Sequence, residues 1–303
     1  MTGDERRAGT PGRVAYAGEP GAFAEDAAIA AFAEAPRLPV GGFREVFEAV
    51  AAGTAEAGIV PIENLVNGSV RETYDLLLEH DLQIVGEVVV PVDLCLAALP
   101  GRTIDGIERV YSHIQALGQA ERFLRAGGWS LLTTYNTAGA GRFVLEQGDP
   151  AAAAVLSRRA ATGLGLEVLA SSIQDVPDNR TKFLVLGRPG EEIGREAGGD
   201  PGPGSGNGAG GGTIDGRPFR TTLAFGVRNE PGTLLAALRV FAERSINLSK
   251  LESRPSRAAA WEYVFWADLD GHRDDPACAA ALDDLRAVAT SVRVFGSYPR
   301  AVG

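Results

Sequence analysis

The sequence predicts an α/β protein with two folded parts. Three observations support this prediction. Short apolar runs alternate with helical patterns up to residue 187, and a glycine-rich segment follows them. The remaining residues then show the order β, α, β, β, α, β, which is typical of a ferredoxin-like domain. The first part is therefore expected to be an α/β domain and the last part a smaller α/β sandwich.

The first part contains six apolar runs that are typical of buried strands, at residues 13–18, 57–62, 82–92, 109–112, 151–156 and 182–187. Between these runs, apolar residues recur on helical faces, namely Phe43, Val46, Phe47 and Val50, then Ile114, Leu117 and Leu124. The alternation predicts mainly parallel sheets, with ligands bound beyond the carboxyl ends of the strands. Because the Pro91 region divides the pattern, we expect two lobes with a cleft between them, as in periplasmic binding proteins.

A glycine-rich segment separates the two parts. Residues 188–217 are predicted to be a flexible linker, because they offer too little apolar surface to build a core. Residues 1–12 are predicted to be a disordered tail. These boundaries leave a first domain at 13–187 and a second at 218–300.

The last part begins with a strand at Thr221–Val227 and turns through Asn229, Pro231 and Gly232 into a helix. That helix carries Leu234, Leu238 and Phe241 on one face. After a second strand comes "WEYVFWADLDG", in which Trp261, Tyr263, Phe265 and Leu269 lie on one side. A helix near 275–289 and a strand in "VRVFGSYPR" complete the predicted domain.

The composition of the chain argues against some classes of binding partner. The chain has 303 residues, of which 45% are hydrophobic and 22% charged, and its formal net charge is −10. This charge argues against nucleic acid or an anionic membrane as a partner. Cys95 and Cys278 lie far apart, and neither they nor the scattered histidines have the spacing of metal ligands, so we expect no disulfide and no metal. A signal peptide and a long apolar span are not evident, which makes the cytoplasm the expected compartment.

Four stretches place polar residues directly after apolar runs: "YAGEPGAFAEDAA" (16–28), "GIVPIENLVNGSV" (58–70), "YSHIQALGQAERFL" (111–124) and "IQDVPDNRTKF" (173–183). Taken singly, three of them have simpler explanations. Gly21 suits a tight turn, Glu63 a solvated turn, and Ser112 a helix N-cap. In the fourth, turn formation explains residues 177–179 but not the polar groups around Thr181. We therefore expect a functional site there.

Together the four stretches resemble the prephenate dehydratase family. Its members carry, in this order, Tyr-x-Gly-Pro-x-Gly-Thr-Phe, Pro-Ile-Glu-Asn-Ser, Ser-His-Pro-Gln-Ala-Leu and Asn-x-Thr-Arg-Phe, and this chain matches each segment in part. The last part resembles the ACT regulatory domain of the same enzymes, on the segments "NEPGTLLAAL", "INLSKLESRP" and "YVFWADLDGH". The resemblance covers nearly the whole chain apart from the first dozen residues and the linker.

The resemblance implies a reaction and a set of site residues. Prephenate loses carbon dioxide and hydroxide, and because the ring becomes aromatic the reaction requires no cofactor. Thr181 is expected at the leaving hydroxyl, with Glu63 as the proton source if burial favours its protonated form. The remaining site residues are expected to bind or orient the substrate, with Lys182 countering a carboxylate: Gly21, Asn64, Ser112, His113, Gln115, Asn179 and Lys182.

The chain departs from the family pattern at five positions near this site: Ala22, Ala24, Leu65, Ile114 and Lys182. Three of the changes delete a hydroxyl, and lysine in place of arginine gives up bidentate binding of a carboxylate. Arg180, on the same side of an extended strand as Lys182, is a candidate to compensate. Arogenate or a related cyclohexadiene therefore remains an alternative substrate. A non-catalytic, amino-acid-sensing binding protein is the alternative of another class, and a prephenate decarboxylase is a more distant one.

The resemblance also implies regulation by phenylalanine, bound between paired ACT domains of a homodimer or homotetramer. The residues at the matching places are Asn229, Gly232, Leu234, Glu252, Ser253 and Arg254. A flexible linker transmits little by itself. Coupling to the site is therefore expected to need direct contact between domains or the oligomer.

Overall fold

The structure is a computed structural model that describes residues 11–191, 193, 213–214, 217–255 and 263–301. Most of the predicted tail and linker, and Trp261, lie outside the described residues. The described chain forms two compact units. The first contains residues 11–81 and 88–188, and the second contains residues 82–87, 189–191 and the described residues from 213 onward.

The first unit follows the alternation that the sequence predicts. Its elements in chain order are β1 (Val14–Ala17), α1 (Phe23–Ala31), β2 (Arg37–Val40), α2 (Phe43–Ala51), β3 (Ala57–Asn64), β4 (Gly68–Ser69), α3 (Arg71–Glu79), β5 (Gln83–Pro91), β6 (Leu94–Ala98), a 3-10 turn (Ile104–Gly106), β7 (Arg109–Ser112), α4 (Ile114–Gln119), α5 (Glu121–Gly127), β8 (Ser130–Thr133), α6 (Thr137–Gln147), β9 (Ala152–Ser157), α7 (Arg158–Gly163), β10 (Glu167–Ala170) and β11 (Arg180–Gly187). Only residues 88–91 of β5 belong to this unit.

Two sheets form two lobes, as predicted. The first lobe has the strand order β2-β1-β3-β11-β5, with β4 beside β3, and the second has the order β10-β6-β9-β7-β8. The prediction of mainly parallel sheets is wrong. Strand β1 is parallel to β2 and β3, and β7 is parallel to β8 and β9, but β11 is antiparallel to β3 and β6 is antiparallel to β9. Both antiparallel strands enter from the other lobe, without the crossover helix that a parallel pair requires.

Helical faces cover these sheets. Val46, Phe47 and Val50 of α2 are buried in the first lobe, as their spacing predicts. In the second lobe Leu117 and Leu124 are buried, but Ile114 is 61% exposed, so the predicted face is wrong at that residue. Ile114 is the first residue of α4, at the end of the helix, whereas Leu117 lies one turn further in.

The chain passes between the lobes twice, at residues 92–93 and 171–179, and the two crossings are hydrogen-bonded to each other. The Val92 N–H donates to the Asn179 carbonyl at 2.8 Å, and the Ile173 N–H donates to the Leu94 carbonyl at 3.0 Å. The side chain of Gln174 accepts from the Leu94 N–H at 3.0 Å. These bonds fix the segment that leads into Thr181.

The second unit has the predicted βαββαβ order. Its elements are β12 (Thr213–Ile214), β13 (Arg217–Gly226), α8 (Thr233–Ala242), β14 (Leu248–Pro255), β15 (Tyr263–Asp270), α9 (Pro276–Val288) and β16 (Ser291–Pro299). The strand order is β12-β13-β15-β14, with β16 on the other side of β13, and all pairs are antiparallel. Phe265 and Leu269 pack in the core with both helices, as predicted, while Tyr263 is 45% exposed.

The opposite face of this sheet is covered by residues 82–87. The backbone of Ile84 lies so close to Gly296 that a Cβ there would meet the Ile84 carbonyl oxygen at 2.0 Å. Glu87 accepts from Arg220 Nη1 at 2.6 Å and from the Ala301 N–H at 2.9 Å. The sequence does not indicate this packing, because residues 82–92 form one apolar run and nothing in it marks a division between the two units.

Two expectations from composition can be compared with the described residues. Cys95 and Cys278 are both free and buried, in different units, as expected. Within the described part of the chain, no helix is long and apolar enough to cross a membrane.

Candidate active site

Thr181 lies at one end of the β-ladder that β3 and β11 form. Because β11 is antiparallel to β3, the first residues of β11 pair with the last residues of β3, and Thr181 is opposite Asn64. The Asn64 side chain donates from Nδ2 to Thr181 Oγ1 at 2.9 Å and to Asn179 Oδ1 at 3.0 Å. Asn64 is 7% exposed and Asn179 is 1% exposed. Asn64 therefore joins two predicted site residues more than 110 positions further along the chain in one polar cluster, in which the two asparagines are buried and Thr181 is partly buried.

Glu63 and Lys182 form the next pair along the same ladder. Lys182 Nζ lies 3.6 Å from Glu63 Oε2, and their side chains are 27% and 36% exposed. Glu63 is thus only partly buried, and it faces a cation. A bulge between Lys182 and Phe183 follows directly, so the regular ladder resumes only after the polar cluster. The neighbouring Arg180 pairs with Asp178, with Nε to Oδ1 at 2.7 Å.

Gly21 joins the two lobes. Its φ of +93° is in the region that favours glycine, and a Cβ there would lie 2.5 Å from the Cβ of Ala160 in α7. The Ser157 hydroxyl donates to the Gly21 carbonyl at 2.8 Å. Glycine is therefore required at this position both by backbone conformation and by the close approach of the second lobe.

Glu25, Asp26 and Arg159 form an ion cluster beside this contact, which was not predicted from the sequence. Arg159 Nη1 lies 2.6 Å from Glu25 Oε2, and Arg159 Nε contacts Asp26. Burial opposes ionisation of Glu25, but hydrogen bonds from the Gly21 N–H and from Arg159 outweigh it and lower the pKa of that carboxyl. The consecutive arginines after Ser157 were a sequence signal for an ionic site, but no spacing rule identifies partners over 130 residues away.

A second ionic contact between the lobes involves Glu19, Tyr135 and Arg142. Arg142 Nη2 lies 2.6 Å from Glu19 Oε2, and the Tyr135 hydroxyl also contacts that carboxylate. None of these three residues was selected from the sequence. With the Arg159 cluster, this contact holds the carboxyl end of β1 against the second lobe.

Ser112, His113 and Gln115 lie at the carboxyl end of β7. Ser112 is fully buried and its hydroxyl donates to the Val155 carbonyl at 2.6 Å, so its hydrogen is used within the sheet. The helix N-cap is His113 rather than Ser112, because His113 Nδ1 accepts from the Gln115 N–H at 3.3 Å. Burial lowers the pKa of His113. None of the three is hydrogen-bonded to the Thr181 cluster in the described structure.

The positions that depart from the family pattern differ in burial. Ala24 is 8% exposed, whereas Leu65 is 66% exposed and Ile114 is 61% exposed. Two apolar side chains therefore stand in solvent directly beside the site residues Asn64 and His113. A shallow depression lined by residues 12–13, 53–54 and 56 lies at the amino ends of β1 and β3, away from this cluster.

The predicted effector residues lie together at one end of the second unit. The register places Gly226, Val264 and Arg254 in one row across β13, β15 and β14. The turn that carries Asn229 and Gly232 therefore lies at the same end of the sheet as Glu252, Ser253 and Arg254. Gly232 has a φ of +88° at the start of α8, a conformation that glycine adopts without strain, and Leu234 is half-buried in that helix.

Comparison with known families agrees with this arrangement. The family profile of prephenate dehydratase matches residues 14–191, and the ACT domain profile matches residues 221–287. The first match alone covers more than half of the chain. The chain belongs to the prephenate dehydratase family. Its C-terminal unit is the ACT domain found with this catalytic domain.

Members of the prephenate dehydratase family with assigned activities align with almost the whole chain. A bifunctional chorismate mutase/prephenate dehydratase from Aquifex aeolicus is 37% identical over 293 residues, which cover 96% of this chain and 74% of that protein. Arogenate dehydratase/prephenate dehydratase 2 from Arabidopsis thaliana is 40% identical over 296 residues, which cover 95% of this chain and 72% of that protein.

Solved structures share the fold. A prephenate dehydratase from Arthrobacter aurescens in complex with L-Phe has a TM-score of 0.81 at 32% identity, and covers 95% of this chain and 90% of its own. GqqA, described as a novel type of quorum quenching acylase, has a TM-score of 0.80 at 32% identity, and covers 95% of this chain and 98% of its own.

Proposed function

We propose that this chain is a prephenate dehydratase that converts prephenate into phenylpyruvate, water and carbon dioxide. The observation that carries the proposal is the Thr181, Asn64 and Asn179 cluster at the junction of β3 and β11. The family membership and the aligned relatives named prephenate dehydratase support it.

The reaction breaks two single bonds to the ring. The bond between the ring and its carboxylate breaks and releases carbon dioxide, and its electron pair enters the ring as a π bond. The para C–O bond breaks together with it and its electron pair leaves with the oxygen, so the ring becomes aromatic, and the departing hydroxide takes a proton to become water. Because carbon dioxide and water are the only other products, the reaction consumes no oxidant or reductant. The protein has to bind two carboxylates and to help the hydroxide leave.

Each predicted residue then has a distinct role. Thr181 is the hydrogen-bond donor to the leaving hydroxyl. Glu63, partly exposed beside Lys182, is the proposed group through which a proton from solvent replaces the one given up. The ammonium of Lys182, which lies 3.6 Å from the Glu63 carboxylate, binds a substrate carboxylate. Gly21 and His113, at the carboxyl ends of β1 and β7, complete the proposed cleft between the lobes.

Arogenate is the second candidate substrate. It differs from prephenate in carrying an amino group in place of the side-chain keto group. The observation that favours it is that an aligned relative at 40% identity is named for both substrates. Arogenate loses the same two groups from its ring, so the roles of Thr181 and Glu63 remain the same for either substrate.

Phenylalanine is the proposed effector of the ACT domain. The Arthrobacter aurescens relative was solved in complex with L-Phe, and the residues proposed to bind it here lie at one end of the ACT sheet. We infer feedback inhibition, with reciprocal coupling between effector and substrate affinity. Pairing of two copies through ACT domains to give a dimer or tetramer is part of this proposal, and analytical ultracentrifugation tests it.

One assay tests the proposed activity. The purified chain is incubated with prephenate and with arogenate in parallel, and phenylpyruvate is read by its absorbance in alkali while phenylalanine is measured by chromatography. Turnover of prephenate supports the main proposal, and turnover of arogenate alone moves the assignment to the second. If neither substrate is consumed, the dehydratase proposal is overturned in favour of an amino-acid-binding protein.

A further inference from the structure

The orientation of the Asn64 side chain is fixed by the backbone. Its Oδ1 accepts from the Val66 N–H and from the Asn67 N–H, both at 3.0 Å. A backbone N–H can only donate, so the atom that faces these two groups must be the amide oxygen. A flipped amide would place its own hydrogens against two donors and leave both of them unpaired.

This orientation determines what Thr181 can do. Because Oδ1 faces the turn, Nδ2 faces Thr181 Oγ1 at 2.9 Å and donates to it. A threonine hydroxyl has one hydrogen and two lone pairs, so the Asn64 bond occupies a lone pair. Among the residues that the structure describes, none accepts the Thr181 hydrogen. The hydroxyl is therefore anchored as an acceptor while its hydrogen stays available for a ligand.

Asn179 is oriented by the same chain of bonds. Its Oδ1 accepts from Asn64 Nδ2 at 3.0 Å, and its backbone carbonyl accepts from the Val92 N–H. Its own Nδ2 is buried with no hydrogen-bond partner in the described part of the chain. Leaving a buried donor unpaired costs about 1 to 3 kcal/mol, so the cluster is organised for something other than stability.

We propose that Asn64 is a positioning residue that makes Thr181 a hydrogen donor, and that it is not itself a substrate ligand. This inference rests on the proposed function, because the group that receives the Thr181 hydrogen is the leaving hydroxyl. The two Asn64 Nδ2 hydrogens are shared among three protein acceptors: Thr181 Oγ1 at 2.9 Å, Asn179 Oδ1 at 3.0 Å and the Arg180 carbonyl at 3.1 Å. Asn64 therefore acts on the reaction only through Thr181.

Asn64→Asp gives a sharp test. Aspartate keeps the oxygen that accepts from the turn but replaces the donor with a second acceptor. Thr181 then donates its hydrogen to residue 64, and none remains for the leaving group. We expect kcat to fall by about 10²-fold or more, which is the usual size of a lost general-acid contribution. Protonation of the new carboxyl restores a donor, so the activity of this variant should rise as the pH is lowered while that of the wild type does not.

The control is Asn67→Asp, which makes the same chemical change in the same turn at an exposed side chain. It should keep wild-type kcat. A double-mutant cycle with Thr181→Val decides the mechanism: if Asn64 acts only through Thr181, the variant with both changes is no slower than Thr181→Val alone. Independent, multiplicative losses, or an Asn64→Asp enzyme with wild-type kcat, would overturn the inference while wild-type turnover leaves the proposed function standing. A wild-type chain without dehydratase activity would overturn both.

Discussion

Glu87 and Arg220 form a buried ion pair on the face of the ACT sheet that residues 82–87 cover. Arg220 Nη1 lies 2.6 Å from Glu87 Oε2, and the side chains of Arg220 and Glu87 are only 6% and 3% exposed. Asp268 lies 3.8 Å from Arg220 Nε, and burial raises the pKa of the neighbouring Tyr298 hydroxyl well above its usual range, so that phenol stays neutral. The guanidinium and the two carboxylates of this cluster thus depend closely on one another.

Glu87 is the last residue of its segment in the second unit. Glu87 belongs to β5, which continues through residues 88–91 into the first unit and on to Val92. The Val92 N–H then donates to the carbonyl of Asn179, whose side chain shares Asn64 with Thr181. Strand β5 is therefore divided between the two units after Glu87.

The first prediction concerns Glu87→Gln. Removing one charge leaves Arg220 buried without its nearest anion, which typically costs about 3 to 5 kcal/mol. Chemical denaturation measures this effect.

The control for this prediction is Glu121→Gln, which removes one member of an exposed pair with Arg125. An exposed pair contributes little, so this variant should unfold like the wild type. A Glu87→Gln protein with unchanged stability would contradict the role assigned to the buried ion pair.

The second prediction concerns the effector. L-Phe should raise the melting temperature of the intact protein, since a ligand at 100 times its Kd stabilises the native state by about 2.7 kcal/mol. Asn229→Ala should weaken binding by about 2- to 10-fold, the value of one neutral hydrogen bond. Asn247→Ala, before β14 at the other end of the sheet, is the matched control. No thermal shift with L-Phe at any concentration would remove phenylalanine as the effector.

The third prediction concerns Gly21→Ala. A non-glycine residue at φ +93° costs about 1 to 2 kcal/mol, and the overlap with Ala160 adds about 1 to 3 kcal/mol. Gly128→Ala is the control, because Gly128 has φ +68° but a Cβ there would meet no atom of the described structure within 4 Å, so it carries only the backbone cost. Equal losses of unfolding free energy in the two variants would show that contact between the lobes at Gly21 contributes nothing.

The fourth prediction concerns pH. The pKa of Glu25 is lowered in the folded state, so the unfolded state binds more protons in acid and stability is lost as the pH falls below about 4.3. Burial raises the pKa of Asp26, which acts in the opposite direction, so the test is the difference between the wild type and Glu25→Gln. The melting temperature of the variant should depend less steeply on pH in acid. Identical slopes would contradict the role assigned to Glu25.

Tyr16 is expected to limit the stability of the fold in alkali. Burial, and then the charge of Glu25, raises the pKa of Tyr16 to about 12. The folded state therefore holds its proton more tightly than the unfolded state does. Its contribution to stability is complete below about pH 10 and is lost as the pH rises towards 12. Tyr16→Phe should therefore change how stability depends on pH in alkali. An unchanged dependence would contradict the role assigned to Tyr16.

Much of the fold could be predicted from the sequence because it depends on local patterns. The run at 109–112 coincides with β7, and the runs at 57–62 and 182–187 lie inside β3 and β11. Strand β6 was not predicted, because only two residues separate it from the end of β5. Strand β2 was missed for a different reason, since it is a short edge strand that contains Pro39.

The side-chain relationships could be predicted only in part. Thr181 and Asn64 were both selected from motifs, but the bond between them depends on antiparallel pairing of strands 117 residues apart. Glu87 carried a signal of its own, because a charge within an apolar run requires a partner. Its partner Arg220 lies 133 residues further along the chain, and no periodicity identifies a residue at that distance.

The central claim is that Thr181 donates a hydrogen bond to the leaving hydroxyl, and the most direct measurement is the kcat of Thr181→Val with prephenate. Valine keeps the shape of threonine but removes the hydroxyl, and with it both the hydrogen donor and the acceptor of the Asn64 bond, while Asn64 Nδ2 keeps Asn179 Oδ1 and the Arg180 carbonyl as acceptors. We expect a kcat about 10² to 10⁴ times below that of the wild type, with little change in melting temperature. Thr133→Val, at an exposed position of β8, should keep full activity. A Thr181→Val enzyme with wild-type kcat would contradict the account.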